Sequence, residues 1–323
     1  MKWYQYYPSD TLFLRGSEPM VSGTSYETVQ LFPPPVSVIT GALRTAVLAQ
    51  KQISIHQYRK GHEVDAQIGK YGEPAPFKLI GPLMRFNSRL LMPAPYTWFV
   101  ENAPDTGNDA QYQEVHVLET EPLDKETVSG LGLTSSTRLT GWVRHFQDIK
   151  PVGGSWVSVA EMLKGHRVFL EGETIFSPGN FETRLFETEE RLGIGMDHFR
   201  RVKEGQLYLA HHIRMHKDAS IVWAIDRDIG LAPEGVLSLG GEQRFGRYCR
   251  MDPELEFPAE GNRYLALSPV EVNESTHADL IASGKIVYRG GWNLARQFHK
   301  EMKGYYPAGS VFSAPVDHAC IAF

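Results

Sequence analysis

Residues 32–44 read Phe32-Pro33-Pro34-Pro35-Val36-Ser37-Val38-Ile39-Thr40-Gly41-Ala42-Leu43-Arg44, and this passage sets the course of the fold. Three successive prolines remove backbone donors and fix φ, so they end whatever precedes them. A helix is predicted directly behind them, with Ser37 as its expected N-cap. Ile39, Leu43, Ala46 and Val47 recur at helical spacing and should face a core. Ser37, Thr40, Gly41 and Arg44 stand at i, i+3, i+4 and i+7, on a different face that is small and polar and ends in a guanidinium. Free N–H groups at a helix start, a missing side chain at Gly41 and a bidentate arginine suit a phosphate backbone. The competing reading is an amphipathic helix whose polar face meets water.

Working outward, residues 3–14 form an aromatic-rich strand closed by Arg15-Gly16-Ser17. Residues 58–72 look like loop, and two strands, 77–86 and 89–100, turn at Asn87-Ser88. Residues 101–109 and 127–140 are loop by composition. Pro151-Val152-Gly153-Gly154 is the expected linker between an N-terminal half, 1–150, and a C-terminal half, 151–323. Behind it, Ser158-Val159-Ala160-Glu161 fits a capping box for a short helix stopping at Gly165. Strands are expected at 192–196, 207–215, 221–225, 264–267 and 285–288, and a helix near Ser275. Leu294, Phe298 and Met302 repeat with helical spacing. There is no regular 20–50 residue repeat, so the class is α+β rather than a solenoid or propeller.

The chain has 323 residues, enough for about two domains. Lys and Arg total 33 against 38 Asp and Glu, a net charge of −5, so any nucleic-acid site must be a local patch. Cys249 and Cys320 stand far apart and support neither a disulfide framework nor a zinc ribbon. Residues 1–8 contain no apolar core of signal-peptide length, and the uncharged stretch ahead of Arg44 carries too many prolines and polar residues to span a membrane. The expected setting is the reducing cytoplasm.

Residues 191–217 are expected to form a hairpin, and here the charge reverses. Six Lys/Arg (191, 200, 201, 203, 214 and 217) face Asp197 and Glu204, a local +4 that leaves −9 for the rest. The second strand alternates Leu207, Leu209, His211, Ile213, Met215 with Tyr208, Ala210, His212, Arg214, His216. Its tip, His198-Phe199-Arg200-Arg201, is basic and aromatic, and Arg191 and Arg214 flank it along the strands. Single-stranded nucleic acid needs such a surface, because bases stack while phosphates pair with cations. A solvated hairpin is the plainer reading. A third feature, Gly240-Gly241-Glu242-Gln243-Arg244, permits close backbone approach beside a cation.

Enzyme signatures are largely absent: the chain has no G-x-x-x-x-G-K-[ST], G-x-S-x-G or H-E-x-x-H. On a strand His212 and His216 would stand roughly 13 Å apart, too far to chelate one ion. No metal, cofactor or catalytic residue is expected.

These segments together resemble the RAMP proteins of type III CRISPR effectors, and among them the subunit-three family of the type III-B (Cmr) complex. The resemblance rests on residues 8–16 (Pro8-Ser9-Asp10-Thr11 onward), on the passage from Phe32 to Arg44, and on Gly81-Pro82 and Pro93-Ala94-Pro95. It continues through Arg191-Leu192-Gly193-Ile194-Gly195, Glu204-Gly205-Gln206-Leu207-Tyr208, Leu239-Gly240-Gly241-Glu242 and Pro307-Ala308-Gly309-Ser310-Val311. It implies two ferredoxin-like (RRM-like) halves, a protruding β-hairpin thumb at about 191–217, and further strand after Val311. It also implies a non-catalytic role in antiviral defence: binding the 5′ handle of the CRISPR RNA (crRNA) and bridging a large polymerase-like subunit and a backbone subunit. Ser37, Thr40, Gly41 and Arg44 would then line the handle site. Arg191, His198, Phe199, Arg200, Arg201 and Arg214 would belong to the thumb, and Gly240, Gly241 and Arg244 to a glycine loop by the same RNA. Two other functions compete: a guide-processing endoribonuclease using His145, His198, His211, His212 or His216 as acid or base, and an unrelated sugar-acting enzyme with a carboxylate pair.

Overall fold

The computed structural model describes the chain except for residues 15, 17–30, 102–113, 131, 133–139, 143–147, 166–167, 171–174, 177–184, 253–256, 291 and 294–297. It is a mixed α and β fold with mostly antiparallel sheets. Two compact units are each assembled from three stretches of chain: 1–82, 186–253 and 289–302, then 83–185, 254–288 and 303–323. The expected boundary at 150/151 falls within a strand, Ile149–Pro151, of the second unit. Among the described residues no helix is long and apolar enough to cross a membrane.

The first unit contains β1 (Lys2–Pro8), α1 (Val36–Gln50), the start of β2 (Leu79–Phe86), β3 (Phe186–Met196), β4 (Val202–Met215), β5 (Ala219–Ile225), β6 (Glu234–Ser238) and β7 (Phe245–Met251). β1 lies between β5 and β7, pairing Tyr4 with Trp223 and Arg250, and Tyr6 with Ile221 and Tyr248. β6 continues the sheet beyond β7, and the Asp226 amide donates to the Lys78 carbonyl (3.1 Å) where β2 begins beside β5. The period of two in β1 puts Tyr4 and Tyr6 on one face with Trp223 and Tyr248, all buried. Gln50 of α1 donates to the Tyr248 hydroxyl at 2.6 Å. The expected stripe of Ile39, Leu43, Ala46 and Val47 is buried, each large member contributing about 1.5–3 kcal/mol relative to exposure.

Ser37 is not the N-cap. Pro35 takes that place at φ −56°, and its carbonyl accepts from the Val38 and Ile39 amides, so proline geometry rather than a hydroxyl starts the helix. Ser158 does precede the short helix Val159–Leu163, but its side chain makes no capping bond. The box that forms is at Glu274–Ala278, where the Thr276 amide donates to Asn273 Oδ1 (2.9 Å) and the Asn273 amide to Thr276 Oγ1 (3.0 Å). The helical spacing after residue 293 also misleads: Trp292–Asn293 pairs with Phe298–His299 as strand, while Leu294 lies outside the described residues.

In the second unit, Asn87 and Ser88 take φ of 45° and 68°, joining the strand pair Phe86 and Arg89 by the tight turn expected there. The two Pro-Ala motifs meet. The Tyr96 amide donates to the Gly309 carbonyl (3.0 Å), and a Cβ at Gly309 would lie 2.7 Å from the Ala94 carbonyl oxygen. The Tyr96 ring is further enclosed by Gly153 and Gly284, where a Cβ would approach it to 2.0 and 2.5 Å. These motifs hold the fold. Two short strands, Val311–Phe312 and Cys320–Ala322, follow the second of them.

Candidate nucleic-acid interface

The passage that starts α1 and the glycine loop, distant in sequence, line one cavity of about 290 Å³ with Phe13, Leu14, Leu31, Pro35, Val38, Gly240 and Gly241 around it. The glycine pair is required by the chain itself. Gly240 sits at φ +88°, a Cβ there would lie 2.5 Å from the Phe13 carbonyl oxygen, and the Gly241 amide donates to that oxygen at 2.8 Å. Phe32 packs on Phe186 at the base of β3, with ring centroids 4.2 Å apart.

On α1, Ser37 and Gly41 are exposed and Thr40 is half-buried. A Cβ at Gly41 would meet nothing within 4 Å. Arg44 differs: its Nε donates to the Ile68 carbonyl (2.8 Å) and a terminal nitrogen to the Glu73 carbonyl (3.1 Å). The guanidinium thus fastens the 65–73 loop to α1.

Arg191, Arg214 and Arg244 are gathered into one network by carboxylates that sequence reading gave no role. Arg244 donates to Asp10 Oδ2 (2.6 Å) and Glu242 Oε2 (3.1 Å). Arg214 donates through Nε to Glu189 Oε2 (2.6 Å), and its terminal nitrogen lies 3.7 Å from Asp10 Oδ1. Arg191 Nε donates to Glu189 Oε1 (2.7 Å). Asp10 is held below the usual carboxylate range by the Thr11 amide and then by the three arginines; Glu189 is lowered by Arg191 and Arg214. Two of the missed residues stood in quoted motifs, Asp10 near the start and Glu242 after the glycine pair. Nothing in the local pattern pointed to their partners.

β3 pairs with β4 from Phe186↔Met215 to Met196↔Val202, with a bulge before Met196. The hairpin is longer than expected and includes Glu187, Glu189 and Glu190, so Phe186–Met215 carries five basic and five acidic residues. The cation excess is therefore confined to the tip. There the Asp197 carboxylate accepts from the Phe199 and Arg201 amides (2.8 and 2.9 Å), and Arg200 takes φ +62°. Phe199, 65% exposed, lies 3.8 Å from the His198 ring by centroids, and the Arg201 guanidinium stands 5.1 Å from its own ring centre. Gly193 and Gly195 leave room for Tyr208 and Gln206, whose atoms a Cβ would approach to 2.3 Å. On the other face Leu192 (70% exposed), Ile194, Met196, Val202 and Leu207 form an uncovered apolar row.

His212, 1% exposed, packs against Phe13, hydrogen-bonds through Nδ1 with Thr11 Oγ1 (3.1 Å), and lies 3.6 Å from Glu242. Burial, then Arg191, hold it below 6.5 despite Glu242. Below about pH 6.5 the unfolded chain therefore binds a proton that the folded chain refuses, and stability is lost as pH falls toward the folded value. Urea unfolding at pH 7.5 and 5.5 should show this loss, and His212→Gln should reduce it; an equal loss in both proteins would assign the acid sensitivity elsewhere.

The family described as CRISPR-associated protein (Cas_Cmr3) matches residues 4–281. The CRISPR system CMR subunit Cmr3 of Saccharolobus solfataricus is 28% identical over 148 residues, 42% of this chain and 47% of that protein, so the match spans about half the relative's length. Among solved structures, a chain of the type III-B Cmr-beta complex bound to cognate target RNA superposes with a TM-score of 0.53 at 18% identity, covering 97% of this chain and 87% of the other. A chain of the same complex with target RNA and AMPPnP gives 0.52 at 18% identity, over 96% and 85%. The fold is therefore shared with these chains, and the motifs from Phe32 to Gly241 lie within the matched 4–281: the chain belongs to the Cmr3 family of CRISPR-associated proteins.

Proposed function

We propose that this chain is a non-catalytic RNA-binding subunit of a type III-B CRISPR effector complex in the cytoplasm, holding the 5′ handle of crRNA and bridging neighbouring subunits in antiviral defence. Its RNA surface would be the Ser37–Gly41 face of α1, with the β3–β4 hairpin as a thumb laid across the guide. The observation that carries the reading is the hairpin: a turn ordered by Asp197 that presents Phe199 between His198 and Arg201, above an apolar row left exposed among the described residues. Such an uncovered row marks a docking surface, and we assign it to a neighbouring subunit. Family membership supports the assignment. The chain order β1–α1–β2–β5–β7 supports a ferredoxin-like first unit, with β3–β4 inserted before β5 and β6 standing where a second helix would; we propose the same fold for the second unit.

Phe199→Ala in assembled complexes should leave folding and assembly intact and remove guide crosslinks mapping to 197–203, since stacking on one aromatic is worth roughly 1–3 kcal/mol. Absence of such crosslinks in the unaltered complex would overturn the thumb. Incubation of the purified chain with repeat RNA, with and without Mg²⁺, should leave the RNA whole. Cuts abolished by replacing His198, His211, His212, His216 or His145, the last of which lies outside the described residues, would instead favour the processing endoribonuclease.

A further inference from the structure

Resting on the RNA-binding reading above, we infer that Asp10 is an internal stand-in for an RNA phosphate: Arg214 and Arg244 converge on its carboxylate from separate elements, and a backbone phosphate takes its place when RNA binds. Arg244 reaches it at 2.6 Å and Arg214 at 3.7 Å, one on each carboxylate oxygen. Each arginine has a second anchor that does not involve Asp10. Glu242 holds Arg244 at 3.1 Å, and Glu189 holds Arg214 at 2.6 Å while also accepting from Arg191. The two guanidinium groups therefore stay aimed at the same point if Asp10 leaves.

Asp10 is suited to leaving. It stands just past the end of β1, its side chain 48% exposed, while the Arg244 side chain is 21% exposed. Arg244 is also incompletely satisfied, because its Nε is buried without an acceptor among the described residues. A buried donor without a partner costs free energy, so the closed arrangement is not an optimised strut. Charge points the same way. Asp10, Glu189 and Glu242 neutralise the three arginines, so a phosphate arriving with Asp10 in place meets no net positive charge; with Asp10 swung into water it meets one. A phosphate also accepts bidentately from arginine as a carboxylate does. The subsite is blind to base identity, since only the backbone is read.

The test is binding of two labelled single-stranded RNAs of equal length, one carrying the handle and one unrelated, to the full chain and to Asp10→Asn. The variant should bind both about five- to tenfold more tightly at low salt and steepen the log K against log salt slope by about 0.7, one additional phosphate contact. Arg244→Ala placed on Asp10→Asn should cancel the gain. Unchanged or weaker binding of both RNAs by a folded Asp10→Asn overturns the subsite, even where the wild-type chain prefers the handle. A gain on both RNAs with no handle preference in the wild type supports the subsite and sinks the handle reading instead. Should Asp10→Asn lose its circular-dichroism spectrum, Asp10→Ser carries the same comparison, and loss of fold in both makes Asp10 a structural strut and ends the proposal.

Discussion

Gly309→Ala is expected to destabilise the chain by about 3 kcal/mol. Two costs add. Gly309 holds φ at +95°, where an L side chain is strained by roughly 1–2 kcal/mol, and the new Cβ would stand 2.7 Å from a backbone atom, the Ala94 carbonyl oxygen. Neither side can yield cheaply. The Gly309 amide donates to the Ala266 carbonyl at 2.8 Å, its carbonyl accepts from the Tyr96 amide, and Ala94 is itself fixed by its amide donating to the Ser155 carbonyl at 2.9 Å. Overpacking of this kind costs typically 1–3 kcal/mol. In a unit of this size the sum lowers the melting temperature by about 6–12 °C. A calorimetric or urea titration showing less than about 1 kcal/mol would mean that the Ala94–Tyr96 segment shifts freely, and that the Pro-Ala motifs do not clamp the unit.

That clamp also shows where local pattern stops being informative. The stripe of Ile39, Leu43, Ala46 and Val47, the Asn87-Ser88 turn and the strands of the hairpin were legible because each is encoded within a few residues. Close approach at Gly240-Gly241 was legible too, but not its partner: the atom that comes close belongs to Phe13. The arginine network was hidden for the same reason, since Asp10 and Arg244 are separated by 234 positions. Net charge misled through a boundary. Starting the hairpin at Arg191 omitted Glu187, Glu189 and Glu190, which the strand beginning at Phe186 includes. Spacing also cannot reveal that Arg44, at the end of the polar face, donates to two backbone carbonyls of the 65–73 loop. Leu294, Phe298 and Met302 matched a helical period by coincidence, and pairing with Trp292–Asn293 overrode it at Phe298.

Gly41→Leu is expected to raise stability slightly while lowering affinity for handle RNA at least tenfold. Gly41 lies in the interior of α1, where glycine costs about 1 kcal/mol relative to alanine or leucine. Apart from Gly130, the last residue of a short helix, the other glycines with described surroundings have a positive φ or an atom in the way. Here a Cβ would meet nothing within 4 Å, and the residue is exposed. Internal packing therefore gives no reason for the missing side chain. The remaining physical reason is an approach from outside, close enough that a methyl group would obstruct it, beside the exposed Ser37. A sugar-phosphate backbone laid on the helix meets that description, and a leucine would hold it several ångströms away. Tenfold weaker binding corresponds to about 1.4 kcal/mol. Stability by urea unfolding and affinity by fluorescence anisotropy should move in opposite directions, a pattern that general damage to α1 cannot produce because damage lowers both. Gln52→Ala, just past the helix end, should change neither by much. Higher stability with unaltered handle affinity would place the RNA elsewhere, leaving Gly41 an exposed glycine that the fold does not need.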